Sequence, residues 1–283
     1  MEIISSAAEM TALSREARRA GKRVGFVPTM GALHEGHLSL VRAARAQADL
    51  VVASIFVNPA QFGPGEDFSR YPRTFESDSR MLSAERADCI FSPSAEEMYP
   101  PGSITWVDVA GLSEKLDGRS RPGHFRGVTT VVSKLFNIVQ PDVAFFGQKD
   151  AAQVAIIRRM VRDLNFSVEI VVCPIVREKD GLAMSSRNAY LDPQQRSQAT
   201  VLHRSLMRIC QLANRGEDLS ERLVSAGRQA VAEEPALKLD YYEIVNPDTL
   251  DPVPNTAQGA LVAVAAWVGS TRLIDNILLP PHK

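Results

Sequence analysis

One stretch constrains the fold of this chain more than any other. It is the apolar run Val24-Gly25-Phe26-Val27, then Pro28-Thr29-Met30-Gly31-Ala32-Leu33-His34-Glu35-Gly36-His37, then the amphipathic segment Leu38 to Ala48. Leu38, Val41, Ala44 or Arg45, and Ala48 recur at helical spacing, so the local order reads strand, glycine-bearing loop, helix. Leu50 to Val57 follows, rich in Val and Ile without alternation, as expected of a strand covered on both faces in a parallel sheet. The result is a βαβ unit whose loop leaves the carboxyl end of its first strand. Ligands sit at that end of open α/β sheets, and a helix start adds N–H groups and a positive dipole end suited to phosphate.

His34 and His37 fall in the first turn of the helix, spaced so that both rings can face one ligand. Gly36 between them allows close approach to the backbone. An imidazole there, protonated or donating one N–H, can steady charge on phosphate oxygens during displacement. The alternative is that both rings cap or decorate a solvated helix start. A zinc-protease reading fails on spacing, because His-Glu-Gly-His is not His-Glu-x-x-His.

Composition narrows the classes. At 283 residues, 45% apolar and 23% charged, the chain matches an ordinary globular protein of one large or two moderate domains. A net charge of −1 gives no general attraction to nucleic acid or an anionic membrane. Cys89, Cys173 and Cys210 form no CxxC pair and read as small core residues in a reducing compartment. The segment Met1-Glu2-Ile3-Ile4-Ser5 has no basic region followed by an apolar core, and no apolar run approaches spanning length. The expected location is the cytoplasm.

Along the chain, Ser5 or Ser6 can cap a helix over Ala7 to Arg19, closed by Gly21. After Val57 comes the Pro/Gly-interrupted loop Asn58 to Asp67, in which Asn58 and Gln61 are either ligand hydrogen-bonders or turn residues satisfying their own backbone. A helix is expected near Phe75–Ala87, a short strand at Asp88–Phe91, an extended segment at Ile104–Val109 and a helix at Val128–Val139. The loop Arg119-Ser120-Arg121-Pro122-Gly123-His124-Phe125-Arg126-Gly127 has the chemistry to hold a carboxylate or phosphates, or is a solvated basic loop.

A second strand-loop-helix switch reads at Val143-Ala144-Phe145-Phe146, Gly147-Gln148-Lys149-Asp150 and Ala151–Arg162. A lysine just after the glycine can reach phosphate oxygens as a mobile point charge, and Gln153, one turn on, can face the same cavity. The strand Val168–Cys173 leads to Ile175-Val176, and then Met184-Ser185-Ser186-Arg187 offers two hydroxyls and a guanidinium, unless it is only a serine-rich linker. Asp192-Pro193 starts a helix towards Leu212, and another covers Leu219–Ala232. Strands are expected at Leu239–Val245, Ala260–Ala266 and Leu273–Leu278. Because this tail runs helices then strands, a domain boundary is placed between 176 and 177.

With these motifs in hand, the chain resembles the pantoate–β-alanine ligase family. The likeness runs nearly end to end, through Pro28 to His37, Phe56 to Phe62, Tyr71 to Thr74, Gly123 to Val128, Phe146 to Asp150, Met184 to Asn188 and Thr271 to Asn276. It implies an α/β fold with a Rossmann-like parallel sheet of the nucleotidylyltransferase type. It further implies an ATP/pantoate-binding domain over 1–176 and a smaller α+β C-terminal lid domain over 177–283. The implied reaction joins (R)-pantoate to β-alanine with ATP, giving pantothenate, AMP and pyrophosphate through a pantoyl adenylate. In this resemblance Met30, Gly31, Ala32, Leu33, His34, Glu35, Gly36 and His37 bind ATP, with His34 and His37 on the phosphates and His37 as proton donor. Gly147, Gln148, Lys149 and Asp150 also bind ATP, with Lys149 on the phosphates. Val176, Met184, Ser185, Ser186 and Arg187 complete the nucleotide site. Gln61 and Gln153 hold pantoate, and Gln61 also meets β-alanine. Mg²⁺ is implied mainly through the ATP phosphates, and the assembly implied is a homodimer.

Three rivals make different predictions. An adenylyltransferase of the same fold releases a stable adenylylated product, which the paired glutamines and extra C-terminal domain oppose. A regulatory module binds ATP without turnover, against which stand Lys149, Arg187 and both histidines. A metal hydrolase using His34, His37 and His124 loses activity to chelators without needing ATP.

Overall fold

A computed structural model describes residues 1–282. The strands are β1 (Glu2–Ile4), β2 (Val24–Thr29), β3 (Leu50–Ile55), β4 (Cys89–Phe91), β5 (Val143–Gly147), β6 (Glu169–Cys173), β7 (Leu237–Val245), β8 (Ala260–Val268) and β9 (Thr271–Leu279). The helices are α1 (Ala7–Arg19), α2 (Glu35–Arg45), α3 (Phe75–Ala84), α4 (Ala95–Met98), α5 (Asp117–Ser120), α6 (His124–Val139), α7 (Ala151–Asp163), α8 (Pro193–Gln198), α9 (Val201–Ala213) and α10 (Ser220–Ala232). The chain forms two compact units. The first comprises Met1–Glu114, Arg121–Gly147 and Ile156–Pro174; the second comprises Lys115–Ser120, Gln148–Ala155 and the chain from Ile175 onward.

The first unit is built on a parallel sheet in the order β1-β4-β3-β2-β5-β6. Its central strands are apolar on both faces because both faces are covered. Val27, Val51, Ala53, Val143 and Phe145 pack with Leu40, Val41 and Ala44 of α2 and Leu82 of α3. On the opposite face Phe26 and Phe146 each meet Phe136 of α6 edge to face at 6.5 Å, and the Thr11 hydroxyl of α1 donates to Ile138 O at 3.0 Å. From β2 the chain steps outward to β3 and β4, then returns to place β5 on the other side of β2. The carboxyl ends of β2 and β5 therefore flank a topological switch point, the usual ligand crevice of such sheets.

The second unit is an antiparallel sheet, β7-β8-β9, with α9 and α10 on its apolar face. Leu202, Leu206 and Ile209 of α9 and Leu223 and Val231 of α10 pack there against Tyr242, Ile244, Val262, Val264 and Leu273. The short α5 is fastened to this sheet by Asp117, which accepts from Arg272 Nη1 at 2.7 Å and from the Tyr241 hydroxyl at 3.2 Å.

Several expectations shift in detail. Strand β1 carries no periodic signal in three residues and exists through pairing with β4. Ile104–Val109 joins no sheet among the described residues; its Val107 is tied to α6 instead, donating N–H to Thr130 Oγ1 at 3.0 Å and accepting from Thr129 Oγ1 at 2.6 Å. Helix α6 starts at His124, four residues ahead of its expected start, running through Gly127. That glycine is there for packing: a Cβ on it would lie 2.1 Å from Ala60 O. The helix expected from Pro193 to Leu212 breaks at Ala199-Thr200, where the Thr200 hydroxyl bonds Ser197 O at 2.7 Å and competes with the helical ladder.

Candidate active site

In the first unit, β2 ends at Thr29 and the loop Met30–Leu33 turns with Gly31 at φ +80°, a left-handed conformation that suits glycine. The loop is fixed by a buried carboxylate that the sequence did not advertise. Asp78 of α3, 1% exposed, accepts from Ala32 N and Leu33 N at 2.9 Å each and from the Thr74 hydroxyl at 3.1 Å. Thr29 Oγ1 closes the other side, accepting from Gly31 N at 3.2 Å and donating to Ser54 O at 2.6 Å.

His34 is the N-cap of α2, and His37 completes a capping box with it. Gly36 N donates to His34 Nδ1 at 3.1 Å, and His34 N donates to His37 Nδ1 at 3.3 Å. The capping alternative raised by the sequence is thus realised, and it has a chemical consequence. With Nδ1 of each ring accepting from the main chain, the proton of each neutral imidazole belongs on Nε2. Each neutral ring then carries its N–H donor on Nε2, at the positive end of α2. Their centroids lie 4.1 Å apart.

The neighbouring loop supplies amides. Asn58, 1% exposed, donates to Gly127 O and to Gln61 Oε1 at 3.1 Å each and accepts from the Tyr99 hydroxyl at 2.8 Å. Burial pushes the Tyr99 phenol up to about 12, so it stays a donor. Gln61 Nε2 donates to Met30 Sδ at 3.0 Å, bringing Gln61 against the histidine loop. Asn58 is therefore a scaffold residue and Gln61 the half-buried one. Arg121 pairs with Glu66 at 2.6 Å, and together with the Gly63 backbone it holds that carboxyl low despite partial burial. Arg126 lies over Trp106 at 4.7 Å.

In the second unit, Gln148–Asp150 forms a single 3-10 turn between β5 and α7. The Lys149 side chain is 20% exposed, and its Nζ lies 3.6 Å from the Asp150 carboxylate. Gln153 is half-buried in the first turn of α7. Val176 and Met184 are brought together as cross-strand neighbours, Met184 N donating to Val176 O at 3.0 Å, in a small hairpin with an Arg177–Ala183 bridge. Ser185 then caps the 3-10 turn Ser186–Tyr190, its hydroxyl accepting from Arg187 N at 3.3 Å. Arg119 is bound to Glu243 in the same unit, so this arginine of the basic loop serves an internal ion pair.

These features define a class: an α/β enzyme of Rossmann-like fold, with phosphate-suited loops after β2 and β5. A family model described as pantoate-beta-alanine ligase matches residues 2–278. The chain is 64% identical over 279 residues to the pantothenate synthetase of Koribacter versatilis, covering 99% of this chain and 96% of that protein. Among solved structures, pantothenate synthetase from Thermus thermophilus superposes with a TM-score of 0.94 at 48% identity, covering 99% of this chain and all of that one. Pantoate-beta-alanine ligase from Francisella tularensis, solved with beta-gamma ATP and beta-alanine, does so with a TM-score of 0.81 at 33% identity, over 98% and 97% of the two chains. The chain belongs to the pantoate–β-alanine ligase family, and it is accordingly a ligase that joins pantoate to β-alanine.

Proposed function

We propose that the ligation runs on ATP through an enzyme-bound pantoyl adenylate. The observation that carries this reading is the paired histidine cap at the start of α2, which engages Nδ1 of both imidazoles with the main chain and leaves the N–H of each neutral ring on Nε2, in a loop whose Met30 is bonded by Gln61. In the first step a pantoate carboxylate oxygen attacks the α-phosphorus of ATP, and the bond to the bridging oxygen of pyrophosphate breaks. Negative charge grows on the oxygens in flight, and donors preorganised for that charge lower the barrier. His34, His37, Lys149 and Arg187 are the residues assigned to that task. In the second step the unprotonated amine of β-alanine attacks the acyl carbon, AMP departs with the electron pair of the acyl–oxygen bond, and the nitrogen gives up one proton to solvent. Neither step needs a protein nucleophile.

Met30 to His37, Gly147 to Asp150, Val176 and Met184 to Arg187 are assigned to ATP. Gln61 and Gln153 are assigned to pantoate, whose hydroxyls and carboxylate suit amide partners, and Gln61 also to β-alanine. Mg²⁺ is assigned to the phosphates, since this ion keeps water and phosphate oxygens as most of its ligands. Among the described residues no three His, Cys, Asp or Glu side chains converge to hold a metal.

The segment 1–176 is read as the ATP/pantoate domain and 177–283 as a lid that keeps water from the acyl adenylate. A homodimer is proposed, which light scattering on the eluting protein would test. A cytoplasmic location fits the unpaired Cys89, Cys173 and Cys210. Among the described residues no helix is long and apolar enough to cross a membrane.

The deciding experiment is exchange of labelled pyrophosphate into ATP with (R)-pantoate and Mg²⁺ present and β-alanine omitted. Pantoate-dependent exchange is expected. Pantothenate formation from all three substrates without such exchange would remove the separate adenylate.

A further inference from the structure

Two consecutive residues of the edge strand β9, Asp275 and Asn276, are each 3% exposed. Successive side chains of a strand point to opposite faces, so polar groups are buried on both sides of the strand at this point. Each makes a dense set of bonds within the second unit. On one side Asp275 receives both guanidinium nitrogens of Arg177, at 2.7 and 2.9 Å, and Arg177 also donates to Gly181 O at 3.0 Å. This fork anchors the hairpin that leads to Met184 and Arg187. On the other side the Asn276 amide nitrogen donates to Gln148 O at 3.0 Å and to Lys149 O at 2.9 Å. Its amide oxygen accepts from Gln148 Nε2 at 3.0 Å.

The Asn276 contact is unusual in what it holds. Both of its donors go to the two carbonyls of one turn, and its acceptor goes to the side chain of that turn. Gln148 and Lys149 are thereby gripped at three points by a single amide lying more than a hundred residues away in sequence. The lysine ammonium is carried on a flexible stem, so its aim depends on where its own backbone is fixed.

We infer that Asn276 is a positioning residue for Lys149, acting on the reaction through the lysine backbone. The inference rests on the assignment of Lys149 to the ATP phosphates. Asparagine is required at 276 because the two carbonyls need two N–H donors. An isosteric carboxylate would face both carbonyls with an acceptor.

The test is a double-variant cycle in pantoate-dependent pyrophosphate exchange, comparing the wild type, Asn276→Asp, Lys149→Ala and both together. Misplacement of a catalytic group by about 1 Å can cost about 10²-fold, so Asn276→Asp is expected to lower exchange by about 10-fold to 10²-fold. In the Lys149→Ala background the same change should cost less than about 2-fold, since the ammonium that the turn aims is gone. In the full three-substrate reaction of Asn276→Asp, the KM for ATP should rise while that for β-alanine stays unchanged. Equal losses in both backgrounds, or losses in kcat alone that track the folded fraction, would overturn the inference and leave Asn276 a structural residue. Normal exchange by Lys149→Ala alone would instead remove the phosphate assignment on which the inference stands. If Asn276→Asp does not fold, Asn276→Ala, which takes away the donors without adding repulsion, runs the same cycle.

Discussion

The histidine loop of the first unit and the lysine turn of the second are assigned similar electrostatic work and are secured in opposite ways. His34 and His37 are oriented by backbone N–H groups two and three residues away in sequence. Lys149 sits on a turn gripped by Asn276 on β9, and Met184 and Arg187 follow a hairpin anchored by Asp275. One device is written into four adjacent residues; the other exists only once an edge strand from the end of the chain has been laid beside the turn. A local device can survive loosening of its surroundings, whereas a long-range one reports on the integrity of its whole unit.

Four measurements sharpen or break this contrast. The largest effect is expected for His37→Ala and Lys149→Ala. Each should cut adenylate formation by about 10²-fold or more, the ~3 kcal/mol that losing one charge-stabilising donor costs, with circular dichroism unchanged. Near-normal exchange in either variant would void its assigned role.

Next comes Asp78→Asn, which replaces one carboxylate oxygen by an amide group facing a backbone N–H. Hydrogen bonds to a buried charge are worth roughly 1.5–3 kcal/mol, so the urea midpoint should fall by a corresponding amount and exchange should fall with it. An unchanged midpoint would mean that the loop is held by its own turn.

Third, His34→Asn keeps an acceptor at the cap but has no counterpart of Nε2–H. Stability should stay within about 0.5 kcal/mol, because asparagine is a good N-cap, while exchange falls about 10-fold. His34→Ala should lose about 1 kcal/mol of stability in addition. If the asparagine variant kept full activity, the histidine would be a cap and nothing more.

The smallest effect concerns pH. Burial, and then the charge of Arg177, push His203 below the ordinary imidazole value of 6.5, with Asp275 and Asp180 pulling the other way. The unfolded chain therefore takes up a proton more readily than the folded one. Stability associated with neutral His203 is present above that ordinary value and is lost as pH falls through it towards the depressed folded value. His203→Gln should flatten the dependence of Tm on pH across this window. An identical slope in both proteins would assign the acid sensitivity elsewhere.

How much of this was legible beforehand follows the same local-versus-distant division. The alternation of apolar runs and amphipathic segments announced the parallel sheet, and the apolar runs after α10 announced the strands of the second sheet, whose antiparallel pairing the structure supplied. The His-Glu-Gly-His stretch could be seen as a helix start with two rings on one side. The capping box itself, with histidine in both of its roles, was hidden because neither position carries the usual serine or glutamate. Asp78 looked like any polar residue of an amphipathic helix, since nothing in Thr74-Phe75-Glu76-Ser77-Asp78 tells that this carboxylate meets the backbone of Ala32 and Leu33. Gly127 read as a loop residue for the same reason: its value lies in the approach of Ala60, which no local pattern contains.

By itself, then, the order of residues determined the elements, their hydrophobic faces and the identity of the chemical groups placed at strand ends, because these depend on contacts within a turn or two of chain. Tertiary structure alone decided which carboxylate holds the loop and which strand grips the lysine turn. Those depend on hydrogen bonds that close only when distant segments are brought within about 3 Å of one another, and nothing in a linear sequence reports that distance.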